Sequence, residues 1–247
     1  MIVKILNKFA GWFGLKLIEK KLYKNNRLID KSSAMKVEEV ISILYQNNMI
    51  SKIVQIGSND GLRFDVLRSF LINYKTRALL VEPIPEQFEK LEKNYKNIDY
   101  ISLENSAITL KNSENKMFQL NPKYTKKYSD HVPGISSLSK KHLIKHGVKR
   151  QHIMSKKVNT ISITELLKKH NFLDFDLFYI DAEGYDGEII LDYFKNLNER
   201  PIIIFEYIHI DHKKFEQVIK ILGDKKYKFL RLNENVIAFN QQLNLKL

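Results

Sequence analysis

The sequence predicts an α/β fold in which a mostly parallel sheet carries helices on both faces. Segments typical of buried strands alternate with segments typical of amphipathic helices over residues 52–108, and the alternation resumes over residues 162–223. Such alternation requires crossover connections and therefore a parallel sheet. Polar residues, many of them acidic, follow the predicted strands, and ligands of such sheets bind at the carboxyl ends of the strands.

The composition fits one large domain and excludes several kinds of site. The chain has 247 residues, of which 44% are hydrophobic, so it can bury a sizeable core. It contains no cysteine, which excludes a disulfide scaffold, a thiolate metal site and a cysteine nucleophile. The sequence shows neither an apolar run of about eighteen residues nor a secretory signal pattern. We therefore expect a cytoplasmic protein.

Two segments carry the excess positive charge. The formal net charge is +13; residues 1–30 contribute +5 and residues 111–170 contribute +11, whereas residues 171–247 contribute −3. In the first segment, apolar residues recur at helical spacing between lysines, which predicts a basic amphipathic helix within an N-terminal helical extension over residues 1–49. This helix either packs on the protein itself or lies peripherally on the anionic inner face of a membrane.

Each element of the domain predicted over residues 50–247 has its own signal. After a helix at about 34–48, buried strands are predicted at 52–57, 77–83 and within 99–108, with helices at 62–71 and 85–95 between them. A Lys-, Asn- and Ser-rich stretch then interrupts the alternation of strands and helices. It predicts a basic insertion at about 109–157 with a short strand at 116–120.

The second half of the domain resumes the same order. A helix over 162–170 opens with Ser162 and Glu165 at the spacing of a capping box. The following elements are a strand that runs into a loop at 175–184, a helix at 186–197, a strand at 201–207, a helix at 214–223 ended by Gly223, and a hairpin at 227–240.

Polar groups follow every predicted parallel strand. They are residues 57–61 after the first strand, Glu82–Pro83 after the second, residues 105–107 after the third, residues 181–186 after the fourth, and Glu206–Tyr207 after the fifth. Because the carboxyl ends of parallel strands meet at one edge of the sheet, we expect these groups to share a cleft.

The segment Gly57-Ser58-Asn59-Asp60-Gly61 predicts a turn that holds a ligand. Gly57 permits a sharp turn, and Gly61 permits close approach of a ligand to the backbone. Glu82 stands 21 residues after Gly61, where an acid can accept hydrogen bonds from ribose hydroxyls. Asp60 would repel a pyrophosphate but suits a cation, which favours S-adenosylmethionine over NAD. The alternative is a tight glycine turn with no ligand.

Several motifs resemble those of the FkbM family of S-adenosylmethionine-dependent methyltransferases. They are "VQIGSNDG", "LLVEPIPEQF", "LENSAI", "GISSL", "FYIDAEGYDGEII" and "PIIIFEY", and together they span about residues 50–210. The resemblance implies a Rossmann-like class I methyltransferase fold, with seven mostly parallel strands of which the last is antiparallel. It also implies O-methylation of a hydroxyl on a sugar or a related acceptor.

The resemblance implies roles for individual residues. Cofactor contacts fall on Gly57, Asn59, Asp60 and Gly61 around the methionine part, on Glu82 and Pro83 at the ribose, and on Ser106 and Ala107 near the adenine. Asp181 and Glu183 would lie near the transferring methyl group, and Asp181 is thereby the ninth cofactor contact. Many members carry a lysine where this chain has Tyr179.

A sugar hydroxyl is a weak nucleophile, so a base within hydrogen-bond reach should assist the transfer. We expect Asp181 or Glu183 to orient the acceptor and His209 to serve as the base, with Glu206 as a further candidate. The alternative for His209 is a solvated loop histidine. A divalent metal held by Asp181, Glu206 and Asp211 is conceivable, but the acid spacing does not favour it.

The basic insertion predicts an anionic acceptor, such as a nucleotide-linked, lipid-phosphate-linked or phosphorylated glycan. Its lysines and its histidines support this expectation, as do two serines of the "GISSL" turn; the histidines are His131, His142, His146 and His152, and the serines are Ser136 and Ser137. The alternative is a solvated basic surface.

Two other functions stay open: an RNA methyltransferase, and a non-catalytic adaptor with a vestigial cofactor site. The loop "DAEG" after the fourth strand lacks the proline pair used in base N-methylation, so no nucleic-acid partner is favoured.

Overall fold

A mostly parallel sheet lies at the centre of this computed structural model, which describes residues 24–26, 28–29, 31–33, 35–63, 65–110, 116–129 and 132–240. Of the basic N-terminal helix predicted from the first 24 residues, only Lys24 lies within these ranges. His131 also lies outside them. Within the described ranges, no helix has the length and apolar character needed to span a bilayer.

The elements follow the predicted order. The strands are β1 (Ser32–Ser33), β2 (Lys52–Ile56), β3 (Arg77–Val81), β4 (Ile101–Glu104), β5 (Ala107–Ile108), β6 (Lys116–Leu120), β7 (Ser136–Ser137), β8 (Ile153–Lys157), β9 (Thr160–Ile161), β10 (Leu177–Ile180), β11 (Ile202–Glu206), β12 (Tyr227–Leu232) and β13 (Asn235–Asn240). The helices are α1 (Val37–Gln46), α2 (Arg68–Tyr74), α3 (Pro85–Tyr95), α4 (Lys140–Lys145), α5 (Ile163–Lys169), α6 (Asp186–Asn196) and α7 (His212–Asp224). Short 3₁₀ segments lie at Pro122–Lys127, Val132–Gly134 and Arg150–His152.

The main sheet has the order β1-β12-β13-β11-β10-β2-β3-β4. Strand β2 pairs in parallel with β3 on one side and with β10 on the other. The chain therefore changes direction across the sheet between β2 and β10, which is the topological switch point where ligands bind. Strand β13 runs antiparallel to both β11 and β12. Apart from the two-residue strand β1, this is the predicted seven-stranded class I methyltransferase sheet.

Two apolar layers cover the faces of the sheet. Strand β11 shows why both are needed: Ile203 and Phe205 enter one buried cluster, and Ile202 and Ile204 enter the other. Successive side chains of a strand point to opposite faces, so a central strand covered by helices on both sides must be apolar throughout. The continuous apolar runs in the sequence correspond to these doubly covered strands.

Two helix boundaries differ from the prediction. Helix α2 begins at Arg68 rather than at residue 62. The carboxylate of Asp60 accepts hydrogen bonds from the backbone N–H groups of Leu62 and Arg63, and Asp65 accepts one from Leu67. These side-chain bonds favour turns over helix in this stretch. Helix α7 extends one residue beyond Gly223, which was predicted to end it. By contrast, the capping box of Ser162 and Glu165 at α5 is confirmed.

The insertion leaves and re-enters the domain at one place. Strands β5 and β9 pair in parallel, so the residues that flank the insertion lie side by side. Between them, β6 pairs antiparallel with β7 and with β8. A small buried apolar cluster supports this unit, formed by Leu120, Val132, Ile135, Leu143 and Val148. The described part of the insertion therefore has a small apolar core of its own and lies at the carboxyl edge of the sheet.

Candidate active site

The turn after β2 brings two strand ends into contact. Gly57 has φ +84°, and a Cβ placed on it would lie 1.9 Å from the carbonyl oxygen of Asp181, which follows β10. The N–H groups of Gly57 and Ser58 donate to the carbonyl of Val81, at 2.9 and 3.0 Å. Only glycine allows both the backbone conformation and the close approach. The predicted turn at Gly57 is confirmed.

Glu82 is fixed at the centre of the cleft by two backbone bonds. Its Oε2 accepts from the N–H of Asn59 at 2.9 Å, and its Oε1 accepts from the N–H of Ile84 at 2.8 Å. Burial raises the pKa of this carboxyl group to about 7, and the two backbone bonds oppose that rise. Each carboxylate oxygen keeps a second acceptor position, because a carboxylate offers about four lone-pair sites.

A cleft that is partly open to solvent lies over these strand ends. It is lined by seven of the nine predicted cofactor-contacting residues, which are Gly57, Asn59, Glu82, Pro83, Ser106, Ala107 and Asp181. The hydroxyl of Ser106 donates to the carboxylate of Glu104 at 2.6 Å, and this bond fixes the position of Ser106 at the cleft.

Asp60 and Gly61 lie outside the lining of this cleft. A Cβ on Gly61 would come within 2.5 Å of the side chains of Leu91 and Tyr95 on α3. Helix packing and a φ of +65° therefore require this glycine, rather than the approach of a ligand that the sequence suggested. The buried carboxylate of Asp60 stabilises the following turn. The backbone carbonyl of Asp60 accepts a hydrogen bond from the side-chain amide of Asn94 at 2.8 Å.

The floor of the cleft carries hydrogen-bond acceptors that the sequence analysis did not select. Gln55 and Asp65 line it, and the amide of Gln55 donates to the carboxylate of Asp65 at 3.3 Å. The buried Oε1 of Gln55 has no hydrogen-bond partner among the described residues. Together with Glu82 and Asp181, these oxygens suit a ligand that brings donors and positive charge. The only signal in the sequence is one polar residue inside the apolar strand β2.

A group of acids follows β10 and β11. The side chain of Asp181 faces the open cleft, but surrounding protein atoms desolvate it and raise its pKa to about 7, with Glu183 and Glu234 adding to the rise. Burial raises the pKa of Glu206 to about 10, and the nearby Asp181 contributes to the same shift. A carboxyl group whose pKa lies near neutrality can take up a proton at neutral pH.

Asp186 holds the two acidic loops together. It is fully buried, and its carboxylate accepts from the N–H of Ala182 and from the N–H of Glu206, each at 3.3 Å. Burial raises its pKa well above the usual range. Because one side chain binds the backbone after β10 and the backbone after β11, it fixes the separation of the acids that these loops carry.

A second pocket lies beside the cleft and shares part of its wall. Asn59, Asp181 and Glu183 line both spaces. The second pocket is rich in acids, which are Asp60, Asp181, Glu183, Glu206 and Glu234. The insertion closes one side of this junction: Gly134 lines both spaces, and the hydroxyl of Ser137 donates to the carbonyl of Glu183 at 3.1 Å.

His209 lies at this junction, partly buried and 3.6 Å from the carboxylate of Glu206. Its ring centroid is 4.7 Å from that of His142 and 4.7 Å from that of His146. His152 lies elsewhere in the insertion, where its ring stacks on Tyr124. Two histidines of the insertion, His142 and His146, therefore lie at the predicted catalytic region, and His152 does not.

The cluster that could hold a metal differs from the one considered in the sequence. Asp211 caps helix α7 by accepting from the N–H of Lys213 at 3.1 Å. Among the described residues, the ligand atoms that converge belong to four other side chains, which are His142, His146, Glu183 and His209. The missed signal was the spacing of His142 and His146, because residues i and i+4 share one face of a helix.

Solved structures of other proteins align with this chain at low sequence identity. A methyltransferase FkbM from Methylobacillus flagellatus KT is 13% identical with a TM-score of 0.45; the alignment covers 77% of this chain and 44% of that one. A putative caffeoyl-CoA O-methyltransferase from Staphylococcus aureus is 11% identical with a TM-score of 0.46, covering 97% and 92%. An O-methyltransferase from Bacillus cereus in complex with SAH is 8% identical with a TM-score of 0.43, covering 96% and 97%.

The family assignment comes from the sequence match. No protein of curated function matches the chain. The family described as methyltransferase FkbM domain matches residues 55–229, which include the end of β2, the turn at the switch point, the insertion and both acidic loops. The chain therefore belongs to the FkbM methyltransferase family, and it is an enzyme whose cofactor is S-adenosylmethionine.

Proposed function

We propose that the protein transfers the methyl group of S-adenosylmethionine to a hydroxyl of a sugar or glycan acceptor. The observation that carries the proposal is the wall shared by the cleft and the second pocket, where Asp181 and Glu183 face both spaces. A cofactor in the cleft and an acceptor in the pocket would meet at these two carboxylates. Positioning of this kind supplies much of the rate of a methyl transfer.

The residues of the cleft fit the cofactor. Glu82 would accept hydrogen bonds from the ribose hydroxyls through the acceptor positions that Asn59 and Ile84 leave available. Ser106 and Ala107 would lie beside the adenine. The unsatisfied Oε1 of Gln55 supports the fit, because it needs a donor, and the cofactor's amino group is one.

The acidic second pocket supports a neutral, hydroxyl-rich group at the reaction centre. Carboxyl groups accept hydrogen bonds from sugar hydroxyls, and the five acids of this pocket outnumber the two basic side chains that line it, Arg63 and Lys90, so the pocket offers a phosphate little net attraction. We therefore place any anionic linkage of the acceptor outside the pocket, on the basic insertion. Helix α4, which carries His142 toward Glu183, also bears the exposed Lys141 and Lys145.

The proposed step is an in-line displacement. The acceptor oxygen forms a bond to the methyl carbon, the carbon–sulfur bond breaks, and the sulfonium becomes the neutral thioether of S-adenosylhomocysteine. The hydroxyl proton passes to Asp181. This carboxylate is favoured because that of Glu183 is hydrogen-bonded to His142 at 2.8 Å, and because a pKa near 7 suits a base at neutral pH. His209 is the alternative base.

Release of S-adenosylhomocysteine with a panel of acceptors tests this proposal. The panel comprises a neutral oligosaccharide, a nucleotide-linked sugar and an RNA oligomer. We expect turnover with the sugars and a lower KM for the nucleotide-linked sugar. Replacing both Lys141 and Lys145 with alanine should raise that KM about fivefold, since each exposed charge contributes about 0.5 kcal/mol and the two together about 1 kcal/mol. Lys195→Ala, on the exposed face of α6, is the matched control.

The same panel can contradict the proposal. Methyl transfer to RNA without turnover on either sugar would show that the acceptor class is wrong. Tight cofactor binding without turnover on any of the three acceptors would support a non-catalytic adaptor instead.

A further inference from the structure

Four potential metal ligands converge from three separate parts of the chain. His142 lies on α4 and His146 directly follows it, Glu183 lies in the loop after β10, and His209 follows β11. One ligand atom from each residue lies within 4.8 Å of all the others. The ring centroids of the three histidines are 4.5 to 4.7 Å apart. Residues 142 and 209 are distant in sequence, so only the fold brings this group together.

The local backbone is shaped to let these side chains meet. Gly184 has φ +90°, and a Cβ on it would lie 3.4 Å from Nδ1 of His142 and from the Cβ of His209. Glu183 itself has φ +50°, a conformation uncommon for a residue with a side chain. In this conformation its Oε2 lies 2.8 Å from Nε2 of His142. Unusual backbone geometry of this kind concentrates at functional sites.

The donor set determines the kind of ion. Three imidazoles and one carboxylate suit first-row transition ions such as Zn²⁺, whereas Mg²⁺ and Ca²⁺ prefer oxygen ligands alone. A tetrahedral zinc site has bonds of about 2.0–2.2 Å, which places its donor atoms about 3.4 Å apart. The side chains of His146, Glu183 and His209 are only partly buried, so rotation of these side chains can bring the donors to that separation.

We propose that His142, His146, Glu183 and His209 bind a zinc-like divalent transition-metal ion. Four protein ligands fill a tetrahedral shell, which is the arrangement of structural zinc sites. Two ligands belong to the insertion, and the other two belong to the loops at the carboxyl edge of the sheet. The ion therefore fastens the basic insertion to the catalytic domain at the wall of the second pocket, which His146, Glu183 and His209 line. Metal binding itself does not depend on the proposed acceptor.

Titration of the full-length, chelator-treated protein with Zn²⁺ and Co²⁺ tests the site. Calorimetry should show one Zn²⁺ per chain, a rise in Tm with added Zn²⁺, and no comparable binding of Mg²⁺. Co²⁺ should give the intense visible absorption of a tetrahedral site. His146→Ala should lower the affinity for Zn²⁺ by at least about 100-fold, because loss of an outer partner of a ligand already costs 10–100-fold.

Two further variants make the result decisive. Glu183→Gln keeps the shape of the side chain and should also weaken binding if His146→Ala fails to fold. His212→Ala, at a histidine that contacts Asn25 outside the cluster, should bind Zn²⁺ as the unaltered protein does. Stoichiometry well below one, or equal binding by the unaltered protein and both cluster variants, would overturn the metal site. S-Adenosylmethionine binding measured on the same metal-free sample separates this failure from a failure of the proposed function.

Discussion

Asp181→Asn should lower kcat by about 10²–10⁴-fold and change the affinity for S-adenosylmethionine by only a few-fold. The magnitude is that of a lost general base. The cleft retains Glu82 and its backbone contacts in this variant, so the cofactor should still bind. In the unaltered protein, kcat/KM should rise as the pH increases through about 7, because the carboxylate form of Asp181 accepts the proton. Asparagine removes the part of this dependence that is due to Asp181.

Two comparisons make the effect at Asp181 specific. Asp224→Asn removes a surface carboxylate whose partner is Lys220 on the same helix, and it should leave turnover unchanged. His209→Gln tests the alternative base at the same junction. If Asp181→Asn turns over at the rate of the unaltered protein, Asp181 takes no part in proton transfer. A large loss in His209→Gln alone, measured on metal-free protein so that the loss of a metal ligand has no effect, would assign that role to the histidine.

Glu82→Gln should weaken S-adenosylmethionine binding by about 10–100-fold. Hydrogen bonds to a charged group contribute about 1.5–3 kcal/mol, and the glutamine offers one acceptor oxygen where the carboxylate offers two. It also cannot accept from both Asn59 and Ile84. Binding should depend on pH in the unaltered protein: ionised Glu82 is the better partner for ribose hydroxyls, so the affinity should increase as the pH rises through about 7. The variant should lack this part of the dependence.

The same shift at Glu82 affects the stability of the ligand-free protein. Its pKa is raised from 4.5 to about 7 in the fold, so the folded state binds more protons than the unfolded state between these values. The free energy of unfolding should therefore decrease as the pH rises across this window, by about 3 kcal/mol for this group, and then level off. Denaturant unfolding at pH 5 and pH 8, compared between the unaltered protein and Glu82→Gln, isolates the contribution. An identical pH dependence in both proteins would show that Glu82 is not the group responsible.

Local patterns in the sequence were sufficient to predict most of the fold. Helix α3 begins at Pro85 and ends at Tyr95, as predicted, because its apolar spacing and its proline act within one helix. The hairpin of β12 and β13 turns at Asn233, whose φ of +52° suits asparagine. The polar residues at the strand ends converge on one cleft because the parallel topology requires it. In each case the information lies within a few residues or in the order of the strands.

The parts that escaped prediction depend on contacts between distant segments. Gly61 is glycine because α3 packs against it, which no local pattern reveals. The sequence over 62–71 has helical spacing, but the carboxylates of Asp60 and Asp65 bind the backbone N–H groups of Leu62 and Leu67, and these bonds favour turns. The cluster of His142, His146 and His209 forms only once the insertion has folded back over the sheet. A helical histidine pair at i and i+4 is a usable signal, but its partners cannot be identified until the path of the insertion is known.

Calorimetric titration with S-adenosylmethionine and, separately, with NAD is the most direct test of the cleft at the switch point. The acceptor-rich lining of Gln55, Asp65, Glu82 and Asp181 predicts one S-adenosylmethionine bound per chain, with NAD binding much more weakly because its pyrophosphate meets these acids. Tighter binding of NAD, or no heat of binding with S-adenosylmethionine, would contradict the account.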